Sequence, residues 1–263
     1  MRNKLIFGIS GIIILVLTFC LTIKDLSFSV EELSSDGYQH KGSAYKAWEI
    51  SELSDTLATK KLNQIDFMNE NSMKGTYIEL EKGDSFKRKA KSDNIYYLYS
   101  GVCTAKVKNI EQRFNKGDVI FVKKGSELYI NKSDEPLKIV LVSMVLASDS
   151  KTPNWKYFSE SNIEASRISE ANTWNPFIRY SNVIFGMYML PQTIDGDSRL
   201  VHPWQELNII TSGNSKFVMD TDTIDVEEGS IIFVDEGNGH YFDGLKVDID
   251  ILILWEQRSK TLK

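Results

Sequence analysis

A chain of 263 residues leaves room for about two domains, and a hydrophobic content of 42% with 11% aromatics excludes a disordered polymer. The net charge of −5 gives no support to nucleic-acid binding, which wants a basic face, so no nucleic-acid partner is expected. Of the two cysteines, Cys20 lies inside an apolar run and leaves Cys103 without an intrachain partner, so there is no disulfide framework and stability has to come from packing.

Arg2 and Lys4 precede nineteen residues, 5 to 23, that carry no charge. As a helix this run would span about 28 Å, close to the thickness of a bilayer core. The acids Asp25, Glu31 and Glu32 follow it, and the positive-inside rule then puts the N-terminus in the cytoplasm. A cleaved signal peptide would need small residues after Ile23, which are missing, and a lipoprotein would need a small residue where Phe19 precedes Cys20. The expectation is an uncleaved single-pass anchor over 1–23, with the bulk of the chain extracytoplasmic. Residues 24–44, polar and rich in serine, read as a tether, and His40 within it as a solvated linker histidine. From Tyr45 to Lys61 the pattern AWEISELSDTL fits a short helix or a lead-in strand equally well.

From about Met73 the chain changes to period two in short apolar runs bounded by glycine: GTYIELEKG, NIYYLYSG, GDVIFVKKG, ELYIN and LKIVLVSMVLA. After the polar break SDSKTPN (148–154) the scheme repeats as VIFGMYML, QELNIITSG, GSIIFVDEG and VDIDILILW. Gly101 and Gly213, Gly117 and Gly229, and Gly125 and Gly237 are each 112 positions apart, and the runs beginning at Leu137 and Ile249 keep the same offset. Shared glycines mark tight turns that need positive φ. A repeat of this length predicts two similar β-domains in tandem, over residues 45–150 and 151–263. Cys103, in an alternating strand pattern, is expected to be a buried, inert thiol.

Two of the chain's three histidines fall in the second copy, between Leu200 and Gly244. His202 is followed at four residues by Glu206 and then, after six more, by Gly213; Gly229, Asp235, Gly237 and His240 form a second group. Pro203 after His202 argues against a helix there, and a strand, a turn at Pro203-Trp204-Gln205 and a second strand fit better. His240 would come from a later strand, beyond the turn at 237–239. This spacing resembles the two motifs of the cupin superfamily, G-x5-H-x-H-x3-4-E-x6-G and G-x5-P-x-G-x2-H-x3-N. The match departs from them at Ile194, Leu200, Asp235 and Gly244.

The resemblance implies an all-β fold of two tandem cupin-type antiparallel β-barrels (a bicupin), jelly-roll-like and stacked on each other. It also implies a divalent metal ion (Fe, Mn, Ni or Zn) held by His202, Glu206 and His240, with Leu200 where a fourth ligand would stand. In the first copy the matching residues are Arg88, Ala90, Asn94 and Leu128, so only the second copy would hold metal. Two imidazoles and a carboxylate leave coordination positions open for water or substrate. The expected activity is metal-dependent chemistry on a small polar molecule, a sugar or an organic acid, of dioxygenase, isomerase or lyase type. Glu206 is a ligand first and a proton acceptor second. A non-catalytic binding or sensing module is the alternative, and a homodimer would fit the family. Trp204, Tyr241 and Phe242 adjoin the site, where they would pack in the core or stack on a ligand. The cluster Lys87, Arg88, Lys89 and Lys91 reads as a solvated hairpin face or as a site for anions or lipid headgroups.

Overall fold

The computed structural model describes residues 45–61, 63–70, 72–131, 133, 135–146, 152–159, 166–167, 173–180, 182–190, 203–219, 222–243 and 248–256. The expected anchor over 1–23, His40, Leu200 and His202 lie outside them. Strand β1 (Tyr45–Glu49) leads into helix α1 (Ile50–Lys60). There follow β2 (Gln64–Asn69), β3 (Met73–Leu80), β4 (Phe86–Lys89), β5 (Asp93–Ser100), β6 (Val102–Val107), β7 (Ile110–Asn115), β8 (Val119–Val122), β9 (Glu127–Ile130) and β10 (Leu137–Met144). The second half contributes β11 (Trp155–Phe158), β12 (Ser166–Arg167), β13 (Thr173–Tyr180), β14 (Val183–Leu190) and β15 (Gln205–Ser212). It ends with β16 (Asn214–Met219), β17 (Asp222–Glu227), β18 (Ser230–Val234), β19 (His240–Asp243) and β20 (Ile249–Glu256).

The ambiguous stretch after Tyr45 is both things in succession. Residues 45–49 pair as a strand, and from Ile50 the apolar period changes to that of a helix, with Ile50, Leu53 and Leu57 buried on one face. Lys61 ends the helix in the left-handed region (φ 53°), its N–H donating to the carbonyls of Leu57 and Ala58.

The strands form four antiparallel sheets. In the first half, the six-stranded sheet β11-β8-β5-β10-β3-β2 faces the four-stranded sheet β4-β9-β6-β7. In the second, the seven-stranded sheet β1-β18-β15-β20-β14-β13-β12 faces the three-stranded sheet β17-β16-β19. Period-two alternation sorts the side chains: along β10, Ile139 and Leu141 point between the two sheets of their own half, while Val140, Val142 and Met144 point to the other half. Along β20, Ile251 and Ile253 face inward, and Leu252 and Leu254 face the first half. The large sheets thus pack on each other through one apolar core to which both halves and α1 contribute.

The repeat is real in three dimensions, since β5, β6, β7 and β10 recur 112 residues later as β15, β16, β17 and β20. Among the described residues the closed barrels expected from the resemblance are not formed: each half is two separate sheets facing each other, and the chain passes between them at sharp glycine corners. Gly101, between β5 and β6, has φ +94°, and a Cβ there would lie 2.5 Å from the Pro136 carbonyl oxygen. Its counterpart Gly213 has φ +81°, with the Asp248 carbonyl oxygen 2.2 Å from such a Cβ.

The sheets do not follow the order of the chain. Strand β1 joins the second half's large sheet, Tyr45 opposite Val234 through Glu49 opposite Ser230. In exchange β11 joins the first half's large sheet, Trp155 opposite Val122 through Phe158 opposite Val119.

Candidate metal centre

Glu206 and His240 are brought together from opposite sheets of the second sandwich. Glu206 lies on β15, between Val234 of β18 and Trp255 of β20, with its side chain turned inward. His240 opens β19 and pairs with Met219 of β16. The two side chains are 2% and 1% exposed, and His240 Nε2 stands 3.2 Å from Glu206 Oε1. The Phe217 ring lies against the imidazole, with centroids 5.5 Å apart. Pro203 and Trp204 form a bend before β15, while Gln205, the last residue of the expected turn, already pairs with Glu256 in the strand.

Hydrogen-bonding roles are fixed by the neighbours. His240 Nδ1 faces the carbonyl oxygen of Asn238 at 3.2 Å, and a carbonyl can only accept, so Nδ1 carries a proton. Trp255 Nε1–H donates to Glu206 Oε2, which suits an ionised carboxylate. Nε2 faces Glu206 Oε1, and a proton held between the two groups or a cation between the two atoms would satisfy that contact. Burial alone would push the His240 pKa down, but the Glu206 charge and hydrogen bond, helped by the Asn238 carbonyl, push it above its ordinary value.

The donor chemistry fits a divalent metal as far as the described residues go. Two donors each about 2.1 Å from one ion stand roughly 3.0–3.4 Å apart at ordinary coordination angles, which brackets the Nε2–Oε1 separation. The Asn238 carbonyl at Nδ1 is the kind of outer partner that would orient a ligating imidazole. Among the described residues no three His, Cys, Asp or Glu side chains form a metal-sized group, and the third expected ligand, His202, lies outside them.

Residues that motif spacing does not mark also shape this interior. Asn208, two residues beyond Glu206 on the same face of β15, is fully buried between Ile232 and Ile253. Neither atom of its amide meets a hydrogen-bonding partner among the described residues. Gln205, on the opposite face of the strand, is also buried and donates to Asp235 Oδ1 at 2.9 Å. The Ser72 hydroxyl, from the first half, donates to Gln205 Oε1 at 3.1 Å. The aromatic neighbours pack mainly with one another: Trp204 with Trp255 at 6.0 Å, and Phe242 with Phe217 at 5.2 Å between centroids.

The first copy shows the same positions filled. Ala90 and Leu128 are buried in its apolar interior together with Tyr96, the counterpart of Asn208. Asn94, the counterpart of Glu206, accepts from Ser143 at 2.9 Å and donates to the Tyr96 hydroxyl at 3.2 Å. Ser143 stands where the second copy has Trp255, so the donor facing position 94 or 206 is kept while its chemistry differs. Cys103 is buried and free, and burial, with the charge of Asp118, pushes its thiol up to about 12.

Solved structures share this arrangement across nearly the whole chain. A cupin 2 conserved barrel domain protein from Leptotrichia buccalis superposes with a TM-score of 0.61 over 84% of this chain and 100% of its own, at 11% identity. This is the cupin fold. A second cupin structure, the salicylate 1,2-dioxygenase of Pseudaminobacter salicylatoxidans, superposes with a TM-score of 0.68 over 89% of this chain and 93% of its own, also at 11% identity. At such identities the likeness to these structures carries fold and not activity. An uncharacterized Streptomyces coelicolor protein is 27% identical over 100 residues, 38% of this chain and 94% of its own length. No protein-family model matches the sequence.

Proposed function

We propose that the second sandwich holds one divalent metal ion (iron, manganese, nickel or zinc) through His202, Glu206 and His240, and acts with it on a small polar molecule, a sugar or an organic acid. The observation that carries this reading is the buried pair of Nε2 and Oε1 facing each other at 3.2 Å, where a cation can replace a proton. The third ligand rests on the repeat. Ala90, the counterpart of His202, is 2% exposed and packs in the same cluster as Leu128, the counterpart of His240. By the same 112-residue offset, His202 is the third ligand of this reading.

A bound ion would supply a Lewis acid for a substrate oxygen or a site for dioxygen. The chain's own residues do the rest. Trp255 and His240 engage both oxygens of Glu206, so this carboxylate serves as an oriented charge and ligand and not as a free base. Asn208 offers one donor and one acceptor to a ligand hydroxyl or amide, and Ile232 and Ile253 exclude water around it. A salicylate 1,2-dioxygenase shares the fold, so oxygenation of a small hydroxy acid is one form the activity would take, with isomerase or lyase chemistry as others. Leu200 at the place of the motif's first histidine favours a second reading, a site that binds or senses a small molecule without turning it over. The expected anchor over 1–23 would hold either protein on the outer side of a membrane.

Thermal unfolding with added Mn(II), Fe(II), Ni(II) or Zn(II) tests the centre. A ligand present at a hundred times its Kd stabilises by about 2.7 kcal/mol. Glu206→Asn with His240→Leu, which installs the first copy's residues, should abolish that rise while leaving the metal-free protein folded. An equal rise in the variant contradicts the reading. Turnover of a sugar and hydroxy-acid panel, as opposed to retention without change, separates the enzyme from the binding module.

A further inference from the structure

We propose that the outer face of the first half's four-stranded sheet is a second binding site, for a phosphate-bearing ligand of two or more negative charges. An open cavity of about 810 Å³ lies on this face. Lys87, Tyr129 and Lys106 stand side by side across β4, β9 and β6, with Tyr129 the register partner of both lysines. Lys108, held at φ 57° in the β6–β7 turn, and Lys124, beside Gly125, bring two more ammonium groups to the rim. Four lysines thus converge around a single lining carboxylate, Glu127, in a chain whose net charge is −5.

Pairing within the protein does not use up this charge. Lys87 meets Glu127 at 3.3 Å and Lys106 meets Glu111 at 3.4 Å, both in exposed pairs that water screens. Lys108 and Lys124 make no ion pair among the described residues, and both are exposed.

The fold does not require this concentration of positive charge, as the second copy shows. At the positions 112 residues on from Lys106, Lys108 and Lys124 stand Val218, Asp220 and Glu236, one neutral and two acidic. Only Lys87 has a basic counterpart, Arg199, and Tyr129 recurs as Tyr241. Three of the four ammonium groups therefore belong to this face and not to the architecture. Ammonium groups around a concave surface favour the charge density of a phosphate over that of a single carboxylate, and the Tyr129 ring offers an apolar floor to the rest of the ligand. A soluble phosphorylated molecule and an anionic lipid headgroup share this chemistry. The site is independent of the metal centre and stands or falls separately.

The test takes the full-length chain at low ionic strength, with two probes: inorganic pyrophosphate followed by calorimetry, and vesicles of phosphatidylcholine with or without phosphatidylglycerol followed by co-sedimentation. The variant is Lys108→Asp with Lys124→Glu, residues the second copy carries at those places; Lys108→Gln with Lys124→Gln repeats the test without added acid. Saturable pyrophosphate binding by the wild type, weakened about tenfold or more in both variants at unchanged Tm, supports the site and a soluble ligand. Binding to phosphatidylglycerol vesicles only, lost in both variants, supports the site and a headgroup. No binding of either probe, or binding the variants share, overturns the proposal.

Discussion

Asn208 lies between two isoleucines with its amide unpaired among the described residues, an arrangement that costs roughly 1–3 kcal/mol when no ligand is bound. Asn208→Leu should therefore raise the stability of the ligand-free protein, by about 1–2 kcal/mol, and at the same time weaken small-molecule binding. Calorimetry decides: a stability loss of about 1 kcal/mol or more would mean that the amide has a structural partner. Cys103, with its thiol raised to about 12, should stay unmodified by thiol reagents at neutral pH until the chain unfolds, as peptide mapping by mass spectrometry would show. Glu206 and His240 were legible because their spacing follows a motif. Asn208 and Trp255 were not, since their roles depend on which strands flank β15, and cross-strand register leaves no local mark in composition or period.

Helix α1 is fastened to the first half through Glu79 of β3. Its Oε1 accepts from the Ser54 hydroxyl and the Tyr77 hydroxyl, each at 2.6 Å, and Lys138 Nζ is 3.6 Å away. Burial pushes this carboxyl up, but the two hydroxyls and the lysine together hold it below its ordinary value. A depressed carboxyl contributes stability above its unfolded pKa and loses it as pH falls through the folded value. The stability gap between wild type and Glu79→Gln should be constant at neutral pH and close below about pH 4; a gap that persists in acid contradicts this. The glycine corners give a paired prediction. Gly213→Ala forces a Cβ to 2.2 Å from the Asp248 carbonyl and should cost at least about 2 kcal/mol in urea unfolding. Gly125→Ala meets nothing within 4 Å and should cost only about 1 kcal/mol, for its φ of +85°. Both glycines were visible in the 112-residue repeat. That the described residues form two separate sheets in each half and not closed barrels was not, because closure depends on pairing between distant strands.

Across the whole molecule, one apolar core joins the two copies, and β1 and β11 change places between their large sheets. The repeat made the two copies legible but hid this exchange, because a short strand such as YKAWE carries no local mark of the sheet edge it joins. Either half alone would expose its share of the shared core and lose an edge strand, so the protein should unfold in one calorimetric transition; two resolved transitions would contradict this. Elemental analysis of the purified full-length chain tests whether the second sandwich holds a metal ion. The wild type should carry close to one divalent metal ion per chain, and His202→Ala, Glu206→Ala and His240→Ala should each lose it, while His40→Ala keeps it. Metal-free wild type from metal-supplemented cells, or metal that survives all three substitutions, would contradict the account.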